Sequence, residues 1–465
     1  MLWVRLPPRI PFTQNLSVVI LVFIENQMRY VMDYEAISRK LFGFPLNSEQ
    51  IDATKEIVAW VKEYLNYDPF KILGGYAGTG KSTIIKMISH LLPDINIALC
   101  APTNKAVKVL DALDTNCDCM TIYSLLGLKM EQHEDKLKLE KAMRDRVNRY
   151  SLIIIDESSM INTELMNIIV EVARRHGVKV LFVGDPGQLN PVGESISPIW
   201  GKFPMIVIRK IERHDNQILD FVTRVRSTKL NELKFESNHA NDEGVWVLRR
   251  NEFIEEIKEY AVAGKFANRI SRVIAWRNKT VDSFNTIIRK SIYGDLVNSS
   301  EWLVGERITF TEPFRDGEEQ VAITDDEAVV TDVSITEHPI YGHKCYCLNV
   351  LMNDSIPATI PVIHGDAFYD LVDELSVIAS KARRAKQDRD YRGSKDLWNR
   401  YWELNDSFAK IKYGYALTSH RAQGSTYENV FVDADDILTN TNVKESKRCL
   451  YVASSRPSTR LKMTL

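Results

Sequence analysis

The residues best suited to chemistry lie in Gly75-Tyr-Ala-Gly78-Thr-Gly80-Lys81-Ser82-Thr83, which fits the pattern G-x-x-x-x-G-K-[ST]. Glycines at these spacings let a tight loop turn its N–H groups inward, and a following helix adds the partial positive charge of its N-terminus. Such a loop holds a triphosphate. Lys81 would reach the β and γ phosphates, and the Ser82 hydroxyl is a hard oxygen ligand suited to Mg2+. A coincidental Gly-rich turn is the plain alternative. The flanks argue against it, because Phe70–Leu73 reads as a buried strand and Lys81–Leu92 as an apolar helix.

A second constellation follows in Ile153-Ile-Ile-Asp156-Glu157-Ser-Ser. An apolar strand there delivers two carboxyls at its C-terminal edge, where ligands of open parallel sheets bind. Asp156 would hold the Mg2+ hydration shell, and Glu157 would orient and deprotonate an attacking water. A further strand ends in Val183-Gly-Asp185-Pro-Gly-Gln188, so Gln188 can donate to a γ-phosphate oxygen or to that water. As an isolated loop, the same stretch would be only a turn.

Elements must bring these groups together. From Ser48 to Leu65 the apolar spacing is helical, with Asn47 or Ser48 placed to cap the first turn. Ile95–Cys100, Leu152–Ile155 and Val178–Val183 read as further strands with helical segments between them, which predicts a parallel sheet covered on both faces. Gly127–Glu140 breaks the pattern by alternating charge with Leu and Met, as a projecting hairpin does. A second αβ pattern opens near Met205 and includes a strand at Arg272–Ala275 and a helix at Thr280–Arg289. Short β-rich runs between Trp302 and Met352 suggest a small inserted barrel. Residues 365–410 are helix-like and charged, and the αβ pattern resumes at Tyr413.

The expected division is therefore an N-terminal extension over 1–45, a first α/β domain over 46–126 and 142–200, an inserted β-hairpin over 127–141, a second α/β domain over 201–295 and 411–465, and an inserted small β-barrel with a charged helical segment over 296–410. Residues 1–31 are expected to pack loosely and to be removable without loss of activity.

Across 465 residues, 60 Lys and Arg oppose 62 Asp and Glu. The near-neutral balance excludes a global basic field, so a nucleic-acid surface must be a local stripe. Apolar residues at 45% and charged residues at 26% exclude disordered, collagen-like and fibrous classes. Six cysteines are too sparse for a disulfide framework and point to a reducing compartment. Cys117-x-Cys119 and Cys345-x-Cys347 lack zinc-site spacing and partner histidines, so no metal beyond Mg2+ is assigned. The longest apolar run, Val18–Ile24, falls short of the roughly 20 residues a membrane helix needs.

Taken in order over residues 46–460, these motifs resemble those of superfamily 1 DNA helicases, most closely the phage Dda type that moves 5′ to 3′. The resemblance implies two RecA-like motor domains with ATP and Mg2+ between them. It implies that Gln50 of Leu46-Asn-Ser-Glu-Gln50 reads adenine, and that Pro102, Thr103 and Asn104 touch single-stranded DNA. Arg213 falls at the position of an arginine finger, and Arg456 of Ser455-Arg456 at that of a γ-phosphate contact. Trp276 and Asn278 open a DNA-contacting motif, while His420, Gln423 and Gly424 couple DNA to nucleotide. Single-stranded and forked DNA are the implied partners, with single-strand-binding or replication proteins beside them, for a monomer in the cytoplasm, or the host cytoplasm for a phage-encoded chain.

The chain departs from the family pattern in Tyr123 where His is usual, in Ser455-Arg456-Pro457 for Thr-Arg-Ala or Thr-Arg-Gly, and in a short hairpin without an aromatic residue. Two readings stand for Trp276, a base-stacking platform or a core aromatic. Two also stand for the basic run Lys381 to Arg392, a phosphate track or a solvated helix face. The competing functions are a translocase that strips proteins from single strands and a nucleotide-gated loading module.

Overall fold

The computed structural model describes residues 19–24, 27–63, 68–133, 136–141, 144–191, 193–211, 217–267, 270–317, 319–352 and 355–465. Its first lobe is built on a six-stranded, all-parallel sheet in the order Met205–Ile208, Phe70–Gly75, Lys179–Gly184, Leu152–Ile155, Ile97–Ala101, Asp118–Thr121. Side chains alternate faces along a strand, and here the alternation sorts them into two cores. Leu152, Ile154, Leu181 and Val183 pack with Ile57, Trp60, Ile84 and Ile88 of helices Ser48–Lys62 and Lys81–Leu91. Ile153, Ile155, Val180 and Phe182 face the other way, onto Leu165, Ile169 and Val172 of helix Thr163–His176. A continuous apolar run is thus what a doubly covered strand needs.

The second lobe carries a six-stranded sheet in the order Asn238–Ala240, Glu243–Leu248, Pro457–Thr464, Tyr427–Asp433, Ser271–Ala275, Ala416–Thr418, parallel except for its first pair. Val245, Ile274, Val430, Val432 and Leu461 pack on one face against helices Gln217–Ser227 and Val443–Ser454. On the other face, Val273, Ala275 and Phe431 meet Phe253, Ile257, Phe284 and Ile288.

Between them, the hairpin expected at Gly127–Glu140 pairs Leu128–His133 antiparallel with Lys136–Lys141. The inserted β unit is a five-stranded antiparallel sheet in the order Ile356–Ile363, Lys344–Met352, Glu327–Glu337, Arg307–Phe310, Ile411–Tyr413. Ala409 donates its N–H to the Pro361 carbonyl at 2.7 Å, which draws the two edges of this sheet together. Helices Gly365–Gln387 and Tyr391–Asp406 pack on it through Leu371, Leu375, Ile378 and Leu404.

Three expectations change. Met205–Ile208 does not open the second domain at residue 201; it adds to the first sheet beside Phe70–Gly75, because its backbone completes that edge. The inserted β unit runs past Met352, recruiting Ile356–Ile363 and, from beyond the helical pair, Ile411–Tyr413. The extension over 1–45 is not all apart from the working fold, since Tyr34, Ile37, Leu41 and Phe42 of helix Tyr34–Phe42 pack against the first core. Val19–Ile24 and Gln27–Met32 pair antiparallel, and residues 1–18 lie outside the described residues.

Local chemistry sets the second lobe's ligand edge. Asp436, 3% exposed, accepts from the Trp276 N–H at 2.7 Å, the Arg277 N–H at 2.8 Å, the Thr280 hydroxyl at 2.7 Å and the Arg277 guanidinium, fixing the start of helix Asn278–Tyr293. Burial alone would raise this carboxyl, but the Arg277, Thr280 and Trp276 donors outweigh it and hold it below its usual range. Asp436→Ala is predicted to strand these donors and lower stability by about 3 kcal/mol, read as a fall in the urea midpoint at neutral pH. An unchanged midpoint would contradict this role.

Candidate nucleotide site between two lobes

The phosphate loop is shaped by contacts that leave room for glycine alone. Gly78 and Gly80 adopt φ of +83° and +82°. A Cβ at Gly80 would lie 2.3 Å from Gln50 Nε2, and one at Gly75 would lie 2.5 Å from Ile208 and 2.6 Å from Thr79. Gln50, 3% exposed, accepts from the Asn47 N–H at 3.0 Å as part of a capping box and donates to the Thr79 carbonyl at 3.0 Å. Sequence reasoning missed this bracing of the loop, although the capping pair was visible. Lys81 donates to the Gly75 carbonyl at 2.8 Å and the Tyr76 carbonyl at 3.1 Å, so its ammonium lies along the loop. Ser82 and Thr83 follow in the first turn of helix Lys81–Leu91, half-buried.

Asp156 and Glu157 stand at the C-terminal end of strand Leu152–Ile155. Asp156 Oδ1 accepts from the Glu157 N–H at 2.8 Å, and burial raises its carboxyl against the pull of Lys81. Glu157 adopts φ of +51°, a strained value for a side chain of this kind and one found where a site over-determines the backbone. Burial and the Asp156 charge push its carboxyl up to about 7, against Arg456 and Lys81, with Asp185 adding to the rise.

The second lobe closes the site. Gln423, 9% exposed, donates to Gln188 Oε1 at 2.8 Å across the cleft, and Gly424, at φ of +77°, places its Cβ position 3.9 Å from Glu157 Oε1. Arg456, 6% exposed, is held in its own lobe by the Val452 carbonyl at 2.9 Å, the Ser425 carbonyl at 3.2 Å and the Ser455 hydroxyl at 2.7 Å. Arg448 donates to the Gln188 carbonyl at 3.1 Å. Arg213 lies outside the described residues. The structure thus brings Lys81, Asp156, Glu157 and Gln188 to face Gln423, Gly424 and Arg456.

The nucleic-acid candidates sit on a different set of edges. Thr103 caps helix Asn104–Asp111 by accepting from the Ala106 N–H at 3.2 Å, with Pro102 and Asn104 half-buried beside it. Lys105 from that helix reaches the Arg421 carbonyl of the second lobe at 3.4 Å, and it lines one small cavity with Asn278, Thr418 and Arg421. Asn278 is exposed, while Trp276 is half-buried and packs with part of its surface against the second core. His420 stands 3.9 Å from Glu445 with its side chain 41% exposed, and burial lowers its imidazole. Lys381, Arg383, Arg384, Lys386, Arg389 and Arg392 are all exposed on the helical pair.

Two parallel-sheet lobes around a shared phosphate loop define a RecA-like motor ATPase. Residues 45–259 match the AAA domain model and residues 413–464 the UvrD-like helicase C-terminal domain model. The ATP-dependent DNA helicase dda of Enterobacteria phage T4 is 25% identical over 418 residues, covering 83% of this chain and 92% of that protein. An uncharacterized protein of Acanthamoeba polyphaga mimivirus is 27% identical over 485 residues, covering 86% and 96%. A Pif1 helicase from Bacteroides, solved with ADP-AlF3 and ssDNA, shares the fold at TM-score 0.51 and 15% identity, over 90% of this chain and 92% of that one. The chain is a superfamily 1 helicase of the Dda and Pif1 type.

A carboxyl held near 7 changes charge across the physiological range, and a base acts only as its anion. The value of kcat/KM for ATP hydrolysis is therefore predicted to fall on the acid side with a midpoint near 7. A flat rate profile between about pH 6 and 8 would contradict the assignment.

Proposed function

We propose that this protein is an ATP-dependent DNA helicase that moves 5′ to 3′ along single-stranded DNA and separates the duplex ahead of it. The observation that supports this most is the shared pocket, in which Gln423 of one lobe bonds Gln188 of the other beside Glu157. Lys81 and the loop amides bind the phosphates, and Gln50 reads the base. Glu157 takes the proton of the attacking water. With its Oε1 engaged by Gln423, Gln188 has its amide nitrogen to offer that water or a γ-phosphate oxygen.

Ser82 and Asp156 supply a hydroxyl and a carboxylate, hard oxygen donors that fit Mg2+, and a dication there would relieve the cost of burying Asp156. When bound, the ion neutralises charge building on the phosphates. Arg456 faces the site from the second lobe, the likeness to the family assigns the arginine finger to Arg213, and an arginine delivered across a cleft is worth roughly 10³–10⁵ in rate. Hydrolysis is then slow until the cleft closes.

Closure moves one DNA grip relative to the other. Pro102, Thr103 and Asn104 belong to the first lobe, and Trp276, Asn278 and His420 to the second, so alternating affinity yields directed steps. Each step must keep apart bases whose stacking averages about 1.4 kcal/mol. The hairpin of Leu128–His133 and Lys136–Lys141 is the element that would hold the strands apart. The direction of travel is carried by the likeness to the Dda type.

Identical duplexes bearing a 5′ or a 3′ single-stranded tail, with hydrolysis followed in parallel, test this reading. Unwinding is expected from the 5′ tail, with strong stimulation of hydrolysis by single strands. Glu157→Gln is expected to bind ATP and stop both. Stimulated hydrolysis without unwinding would make the protein a translocase, and weak hydrolysis indifferent to DNA would make it a gated module.

A further inference from the structure

One hydroxyl in the cleft joins three parts of the machine. The Tyr451 oxygen accepts from the Ala77 N–H of the phosphate loop at 3.1 Å, and its O–H donates to Asp185 Oδ2 at 2.6 Å. Tyr451 is 2% exposed and Asp185 fully buried, with Asp185 Oδ1 accepting from the Gly187 N–H at 2.8 Å. The Asp185 turn carries Gln188, while Tyr451 belongs to helix Val443–Ser454, whose end leads into Arg456. Burial and the Asp185 charge push the phenol well above its ordinary range, so it remains a donor throughout the working pH range.

A second contact falls on the neighbouring loop residue. The Arg226 guanidinium lies 3.6 Å from the centroid of the Tyr76 ring. Its helix, Gln217–Ser227, is set in the second core through Ile218, Phe221, Val222 and Val225, and Ala77 packs against that same core. The second lobe thus grips two consecutive residues of the first lobe's phosphate loop, one by a ring face and one by an amide.

We propose that Tyr451 is a positioning residue for hydrolysis, whose shared hydroxyl registers the second-lobe helix leading to Arg456 against the phosphate loop and the Gln188 turn. The proposal rests on the reading that this pocket hydrolyses ATP. Nucleotide binding draws mainly on first-lobe groups, the loop amides and Lys81. Rate draws on where Arg456 and Gln188 stand when charge develops. Loss of the hydroxyl should therefore slow the chemistry and leave affinity nearly intact.

Tyr451→Phe keeps the ring and removes the two bonds. Single-strand-stimulated kcat is expected to fall about tenfold or more, with the affinity for a fluorescent, non-hydrolysable ATP analogue held within about twofold. Asp185→Asn weakens the same bond from its other end, and its effect on kcat should be non-additive with that of Tyr451→Phe. Should Tyr451→Phe not fold, as thermal melting would reveal, the kcat-against-affinity split in Asp185→Asn decides alone. An unchanged kcat, a loss confined to affinity, or additive effects of the two variants overturns the proposal. Absence of hydrolysis by the unsubstituted chain overturns the function itself, and that result is told apart by the control.

Discussion

Two half-buried carboxyls side by side at the end of one strand are the constraint around which this molecule is arranged. Asp156 and Glu157 are both raised by loss of water, and Glu157 further by its neighbour, so the site needs positive charge that strand Leu152–Ile155 cannot supply. Lys81 comes from the same lobe and Arg456 from the other. Neither lobe alone balances the pair. Because Coulombic attraction strengthens as water leaves a cleft, the site is most complete when the lobes approach, which ties chemistry to shape.

Directional contacts hold the seam. Gln423 bonds Gln188, Tyr451 bridges Ala77 and Asp185, and Lys105 reaches the Arg421 carbonyl. The inserted β unit joins the same network. Lys108 pairs with Asp326, Arg421 with Asp325, and the fully buried Arg272 with Glu327 at 2.7 Å. A buried ion pair of this sort adds little net stability, but breaking one partner is costly, so it locks the inserted sheet to the second lobe in one arrangement.

Much of this was legible in the sequence because it is local. Glycine spacing, a strand before it and a helix after it define the phosphate loop, and apolar runs such as Leu152–Ile155 announce doubly covered strands. What escaped was non-local. Met205–Ile208 is an edge strand whose side chains are mostly exposed or half-buried, so its pattern does not reveal which sheet it joins. Ile411–Tyr413 reaches its sheet only after a helical pair has intervened. Helix Tyr34–Phe42 has a clear cap at Asp33, yet lying before the motifs it was grouped with the extension. In the site, the motif around Tyr451 was plain while the work of its hydroxyl was not, since that depends on Ala77 and Asp185 meeting it from another lobe.

The most direct test is a crystal structure of the protein with Mg2+, a non-hydrolysable ATP analogue and single-stranded DNA. The Arg456 guanidinium is expected within hydrogen-bond reach of the γ-phosphate, with Glu157 facing the water in line with it. Lobes fully engaged on the nucleotide with Arg456 still turned to the Val452 and Ser425 carbonyls, and no other second-lobe cation in its place, would contradict a pocket completed from both sides.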